Sequence, residues 1–190
     1  MFEKLEKKIT RKFTKKQRRL WEVFLFITKF SFFAFFLQIL MLERFEFSYL
    51  VSITSIITYY MLNVFSDGFS LISNTILFEG PNGTVMINVI KDCTGWKSFM
   101  ALCGLIFAVR KVGITWRKRV VGVIVGGIVI YIGNIVRLTT TIGYAYLYGM
   151  ENFVFLHDML WQFGLIILVI SIWYIWLKWC ERKGHGRKKI

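Results

Sequence analysis

One cysteine, one arginine and one histidine stand where chemistry is possible. Cys93 begins an apolar run that ends at Arg110, 17 residues later, or about 26 Å at helical rise. Arg137 follows Arg119 by 18 residues, about 27 Å along a helix. His157 precedes Lys178 by 21 residues, about 32 Å. The hydrocarbon core of a bilayer is about 30 Å thick. If these runs cross a membrane from basic inner ends, the three side chains reach one outer boundary. Each has an ordinary reading alone: a small core thiol, a snorkelling anchor, a tolerated imidazole. Their shared depth favours a joint role, because ionisable groups at membrane depth are costly unless paired or functional.

A thiol attacks as its thiolate, and thiolates are favoured at helix N-termini and beside Arg or His⁺. Cys93 is expected to open a helix. The N–H groups of Thr94 and Gly95 would then be free to bind a thiolate or a substrate oxyanion. Gly95 would let a peptide backbone come close. His157 suits a general base that accepts the thiol proton and returns it to a leaving amine. Arg137 offers a permanently charged fork for a carbonyl oxyanion or a carboxylate. Asp92 opposes thiolate formation unless it engages Lys91 or Arg137. Asp158 adjoins His157, but helical neighbours point about 100° apart, so contact between them is not expected.

The elements that must carry these residues follow from composition. Of 190 residues, 56% are apolar and 19% charged, with a single proline, Pro81. A soluble domain holds about 25% charged residues, and a globular core cannot absorb this much Phe, Trp, Ile and Leu. The net charge of +14 would suggest nucleic acid in a soluble chain, but no recognition fold accompanies it. Its basic residues gather in three places: 1–19, 110–119 and 178–190. Such clusters resist translocation and mark cytoplasmic faces. They imply a cytoplasmic N-terminus, central loop and C-terminus, with attraction to anionic lipid as a second role.

Residues 21–42 read as an uncleaved signal anchor, with Lys29 able to snorkel inward. Runs 94–112, 118–138 and 155–178 read as further spans. Segment 48–65 carries Ser48, Ser52, Ser55 and Tyr59 along one helical face. The basic loops face inward only if it does not cross, so it is placed as an outer interfacial or re-entrant helix. Residues 66–92 read as two extended segments around a Pro/Gly turn, a small outer hairpin. The expected fold is an all-α polytopic membrane protein. It has about four spans, an outer helix and an outer β-hairpin. Residues 1–20 form a basic cytoplasmic segment, 21–178 one membrane domain and 179–190 a basic cytoplasmic tail. Gly122, Gly126, Gly127 and Gly133 offer a close-packing surface. A substrate helix and the protein's own helices are its two candidate occupants. Asn82-Gly83-Thr84 matches a glycosylation sequon, a pattern too short to carry weight.

Asp92-Cys93-Thr94-Gly95-Trp96, Asn134-Ile135-Val136-Arg137, and His157 at the head of the last apolar run resemble the three signature blocks of the exosortase/archaeosortase family. The resemblance covers about residues 48–178. It implies a membrane-embedded cysteine protease/transpeptidase that needs no cofactor. Such an enzyme recognises exported proteins bearing a C-terminal sorting signal of short motif, transmembrane helix and basic tail. It cleaves near the motif at the outer face of the plasma membrane and passes the new carboxyl end to a lipid or other acceptor. Carried over, Cys93 is the nucleophile, Arg137 the substrate or oxyanion stabiliser and His157 the general acid/base. Thr94, Gly95 and Asn134 are the expected substrate- or oxyanion-binding residues. Histidine in the third block is the exosortase-like choice. The chain departs from typical eight-span members in being shorter at its N-terminal side.

The alternative is a non-enzymatic membrane scaffold or complex subunit, which leaves the Cys–Arg–His depth match as coincidence. A channel would want more buried ionisable residues. A thiol–disulfide enzyme would want a second outer cysteine, whereas Cys103 lies within an apolar run and Cys180 beside the tail. Metal hydrolysis would want clustered ligands, and the only other histidine, His185, is in the tail.

Overall fold

The computed structural model describes residues 13–42, 47–81, 83–109, 114–150, 153, 157, 159 and 163–185. The basic stretches 1–12, 110–113 and 186–190, and the residues Asn82 and Asp158 considered above, lie outside the described residues. The chain is mostly helical with one small sheet. Helix α1 (Lys15–Leu42) is followed by α2 (Ser48–Asn63), strands β1 (Phe69–Ile72), β2 (Thr75–Gly80) and β3 (Gly83–Asn88), and a 3-10 turn, Lys91–Thr94. Helices α3 (Trp96–Ala108), α4 (Trp116–Tyr148) and α5 (Leu165–His185) complete it.

Helix α1 starts six residues before its apolar run because Thr14 and Gln17 form a capping box. The Thr14 N–H donates to Gln17 Oε1 at 2.9 Å, and the Gln17 N–H donates to Thr14 Oγ1 at 3.4 Å. Helix α2 buries its small hydroxyl residues and turns its large apolar ones outward. Val51, Thr54, Ser55, Thr58 and Leu62 are buried, while Ile53, Ile56, Tyr60 and Met61 are exposed. Two of these hydroxyls donate within the helix, Thr54 Oγ1 to the Leu50 carbonyl at 2.7 Å and Ser55 Oγ to Val51 at 2.8 Å, while Thr58 Oγ1 has no hydrogen-bond partner among the described residues. Of the four residues expected to share a polar stripe, only Ser55 is fully covered; Ser52 instead donates to Asn74 Oδ1 at 3.2 Å.

Two apolar cores lie along α4. One, from α3, α4 and α5, is centred on Leu102, Ile106, Ile130, Val169 and Trp176. The other joins α2, the sheet and the far end of α4 through Leu62, Phe69, Ile76, Phe78, Ile142 and Ala145. With 33 residues, α4 is about 50 Å long, and it continues well past the expected span end at Leu138. Its last turns support the sheet, with Tyr146 packing on Phe69 and Phe78 at ring separations of 4.9 and 5.9 Å. Among the described residues α4 is the one helix both long and apolar enough to cross a membrane. Helix α3, read as part of run 94–112, has 13 residues, about 20 Å. Regular α5 begins only at Leu165. Rows of exposed aliphatics on α4 (Ile124, Ile128, Ile132, Val136) and α5 (Ile166, Ile170, Ile175) form a surface that hydrocarbon solvates and water does not.

The expected two-stranded hairpin is a three-stranded antiparallel meander in the order β1-β2-β3. Phe69–Phe78 is not one extended segment. It folds back at Ser73-Asn74, where Ser73 takes the left-handed φ of 57° and Ile72 pairs with Thr75. Two-residue polar turns of this kind fit hairpins because their twist matches that of the strands.

The glycine surface is occupied by the protein itself. A Cβ at Gly122 would meet the Trp176 ring, one at Gly126 Leu102, one at Gly127 Phe99 and one at Gly133 Leu168. The substrate-helix reading of these glycines is therefore withdrawn. Close packing continues to the helix ends, where Trp176 Nε1 donates to the Lys118 carbonyl at 2.9 Å. Arg119 donates to the carbonyls of Ile106, Phe107 and Val109 at 2.8, 3.1 and 2.7 Å, closing the end of α3. Gly126→Leu is expected to overpack α4 against α3 and to cost about 1–3 kcal/mol. Thermal unfolding in detergent should show a Tm several degrees lower, and an unchanged Tm would contradict this packing.

Candidate active site

Between the two cores α4 presents a polar face. Asn134, Arg137, Leu138 and Thr141 follow one another at i, i+3, i+4 and i+7, and all four are buried. The loop from β3 into α3 lies against this face. Asn134 is fully buried, and its Nδ2 donates to the Cys93 carbonyl at 2.6 Å. Gly95 turns the chain with φ 76°, a left-handed value that a side chain resists. A Cβ there would also stand 3.2 Å from Asn134 Cγ. Thr94 Oγ1 donates to the Lys91 carbonyl at 2.8 Å, and the Cys93 N–H donates to Ile90 at 2.9 Å. These bonds hold the backbone on both sides of the Cys93 sulfur.

Cys93 does not open α3. It sits in the 3-10 turn, with Gly95 as the residue before the first helical position. The Cys93 N–H is already taken, so it is not an oxyanion donor. Asn134 spends its amide on the Cys93 carbonyl and Thr94 its hydroxyl on Lys91. Both side chains therefore position the loop. The Asn134 Oδ1 atom is buried and has no hydrogen-bond partner among the described residues.

Charge around the loop is arranged away from the thiol. Among the described residues Asp92 pairs with Lys97, in the first turn of α3, at 2.8 Å. Lys91 lies over the rings of Phe47 and Trp96, 5.3 and 5.1 Å from their centroids. The carboxylate next to the cysteine is thereby engaged on its outer side.

Cys93, Arg137 and His157 line one cavity of about 390 Å³. Its walls include Ile87, Asn88, Val89 and Ile90 from the end of β3, Leu138, Thr141 and Ile142 from α4, and Phe153. Arg137 is 6% exposed, and Nε, Nη1 and Nη2 all lack a hydrogen-bond partner among the described residues. A buried guanidinium without partners is costly; it is set to receive an anion or a developing oxyanion. The His157 ring stacks on Phe153, with centroids 5.8 Å apart. The arrangement brings a thiol, an imidazole and a buried guanidinium around one small space.

Sequence reasoning missed the part played by β3. Residues 87–90 form a wall of the cavity, and only the pairing with β2 brings them beside α4. The Asp92–Lys97 pair was also missed. Its five-residue spacing falls across a 3-10 turn and a glycine, where no helical rule applies.

The family model for transmembrane exosortases matches residues 14–161, which include Cys93, Arg137 and His157. Neither a curated protein nor a solved structure matches the chain significantly.

Asn134→Ala removes the bond to Cys93 and leaves a buried carbonyl unpaired, at about 1–3 kcal/mol. A lower Tm in detergent is expected, with Asn134→Gln failing to restore it because the longer side chain does not fit beside Gly95. A stability indifferent to both substitutions would show that the bond does not hold the loop.

Proposed function

The chain belongs to the transmembrane exosortase family, and from that premise we propose that it is a membrane-embedded cysteine transpeptidase acting on the C-terminal sorting signal of exported proteins. The observation that carries the reading is the single cavity lined by Cys93, Arg137 and His157, with the Arg137 guanidinium buried and without a hydrogen-bond partner among the described residues. In this reading the Cys93 thiolate attacks the scissile carbonyl. Arg137 holds the oxyanion that develops on the carbonyl oxygen, in a site where low polarity strengthens the interaction. Collapse of the tetrahedral adduct breaks the C–N bond, and protonated His157 gives its proton to the departing amine. The acyl group remains on Cys93 as a thioester. A nucleophile of an acceptor, a lipid among the candidates, then attacks the thioester carbonyl while His157 takes up its proton, and the Cys93 thiolate leaves.

The proposed topology has four spans, beginning in α1, α3, α4 and the segment that leads through His157 into α5, with α2 and the sheet at the outer face. Both basic termini are cytoplasmic. The short α3 suits this placement because the loop before it, with Cys93, packs against α2 and α4 and would sit at membrane depth in this topology. A substrate that crosses the membrane once and keeps a basic tail inside presents its outer juxtamembrane segment at this level.

Membrane proteomes of cells carrying the wild type and Cys93→Ala test the function. A set of exported proteins is expected to retain a C-terminal hydrophobic helix and basic tail only in the Cys93→Ala cells. Identical C-terminal peptides in both would contradict the proposal.

A further inference from the structure

The end of strand β3 lines the cavity, and among the described residues no strand covers its outer side. It is an edge strand, and among the described residues the only element with which it makes extensive contact is β2. In the β2–β3 register Phe78 pairs with Val85 and Ile76 with Ile87. The Val89 N–H donates to the Asn74 carbonyl at 2.9 Å, which sets the alternation. Val85, Ile87 and Val89 turn their main-chain groups toward β2, and Thr84, Met86 and Asn88 turn theirs to the outer edge. Among the described residues no strand meets that edge. Gly83–Asn88 contains no charged residue and no proline, the usual means by which sheet edges are guarded. Met86 is 68% exposed. Downstream, Asn88 and Ile90 line the cavity that holds Cys93, Arg137 and His157.

We propose that an extended segment of the peptide substrate adds to this edge as a fourth strand, held by main-chain hydrogen bonds to Thr84, Met86 and Asn88, and that the strand delivers its carbonyl to Cys93. The inference rests on the cysteine-peptidase reading above. Because β3 runs toward Cys93, a segment whose acyl side lies outside and whose reacting carbonyl lies at the cavity pairs parallel to it. The cavity, at about 390 Å³, has room for the reacting bond and its immediate neighbours. The sheet edge supplies the rest of the grip. Binding of this kind draws affinity from the backbone and selectivity from alternate side chains. Ile87, Leu138, Ile142 and Phe153 line the cavity, so small apolar side chains are the ones that fit near the reacting carbonyl.

The test uses the full chain in lipid nanodiscs with Cys103→Ala and Cys180→Ala, leaving Cys93 as the one thiol. Chloroacetamide reports the thiol without a peptide. Acetyl-Val-Ala-Val-Ala chloromethyl ketone reports it with one, the thiolate displacing chloride to form a thioether. Two analogues carry N-methyl groups on the first and third or on the second and fourth amides. Strand addition makes one analogue roughly tenfold slower than the parent peptide, the worth of one or two net hydrogen bonds, and leaves the other nearly unaffected. Met86→Pro deletes an edge N–H but none bonded to β2, so it should remove the parent peptide's advantage, while Met86→Ala keeps it. Chloroacetamide should react alike in all three proteins, which also shows that Met86→Pro folds. Equal rates for both analogues and the parent, or an advantage that survives Met86→Pro, would overturn strand addition and leave the peptidase reading standing. A Cys93 that none of the reagents modifies would overturn the peptidase reading itself.

Discussion

A hydrogen bond inside the protein sets the position of the thiol: Asn134 Nδ2 to the Cys93 carbonyl, 2.6 Å long. It ties the middle of the longest helix to a loop 41 residues earlier in the chain. Arg137 stands one turn further along the same helix, so the bond that fixes Cys93 also fixes its distance from the cation. Gly95 completes the joint, because only a residue without Cβ both takes φ 76° and leaves room for Asn134.

That joint lies between two apolar cores with different neighbours. The core of α3, α4 and α5 is built from closely approaching helices, with glycines of α4 receiving Trp176, Leu102, Phe99 and Leu168. The other core is a sheet resting on the last turns of α4 and on α2. Helix α2 is inverted relative to a soluble amphipathic helix, with Thr54, Ser55 and Thr58 covered and Ile53, Ile56 and Met61 exposed. A bilayer reverses the usual sorting, since hydrocarbon accepts aliphatic side chains, and the Thr54 and Ser55 hydroxyls donate to carbonyls of their own helix. The polar face of α4 lies between the two cores. There a buried charge can coexist with a cavity open to a peptide.

Much of this was legible in the residues. Depth along three apolar runs selected Cys93, Arg137 and His157 before any geometry was known, because helical rise converts residue number into height. Depth alone does not assign azimuth. The glycines of α4 therefore had two possible occupants, and only packing decided in favour of the protein's own side chains. Asn134 entered only as part of the Asn134-Ile135-Val136-Arg137 block of the resemblance, and its bond to the Cys93 carbonyl depends on how a loop 41 residues earlier packs on α4. The turn at Ser73-Asn74 was hidden within an apolar-looking stretch, as Ser and Asn also occur inside strands. The wall formed by Ile87–Ile90 was illegible for a related reason. It depends on the register of β3 with β2, which sets which backbone groups remain open.

The central claim is that Arg137 and His157 act on the Cys93 sulfur from within an outward-facing cavity. Its most direct test is the rate at which a membrane-impermeant maleimide labels Cys93 in intact cells at pH 6.5, in the Cys103→Ala/Cys180→Ala chain and in the same chain with Arg137→Ala or His157→Ala. The account predicts ready labelling from outside that each substitution slows by roughly tenfold, the effect of withdrawing a stabilising charge or base from a thiolate. Labelling that requires a permeant reagent, or that proceeds at one rate in all three chains, would contradict it.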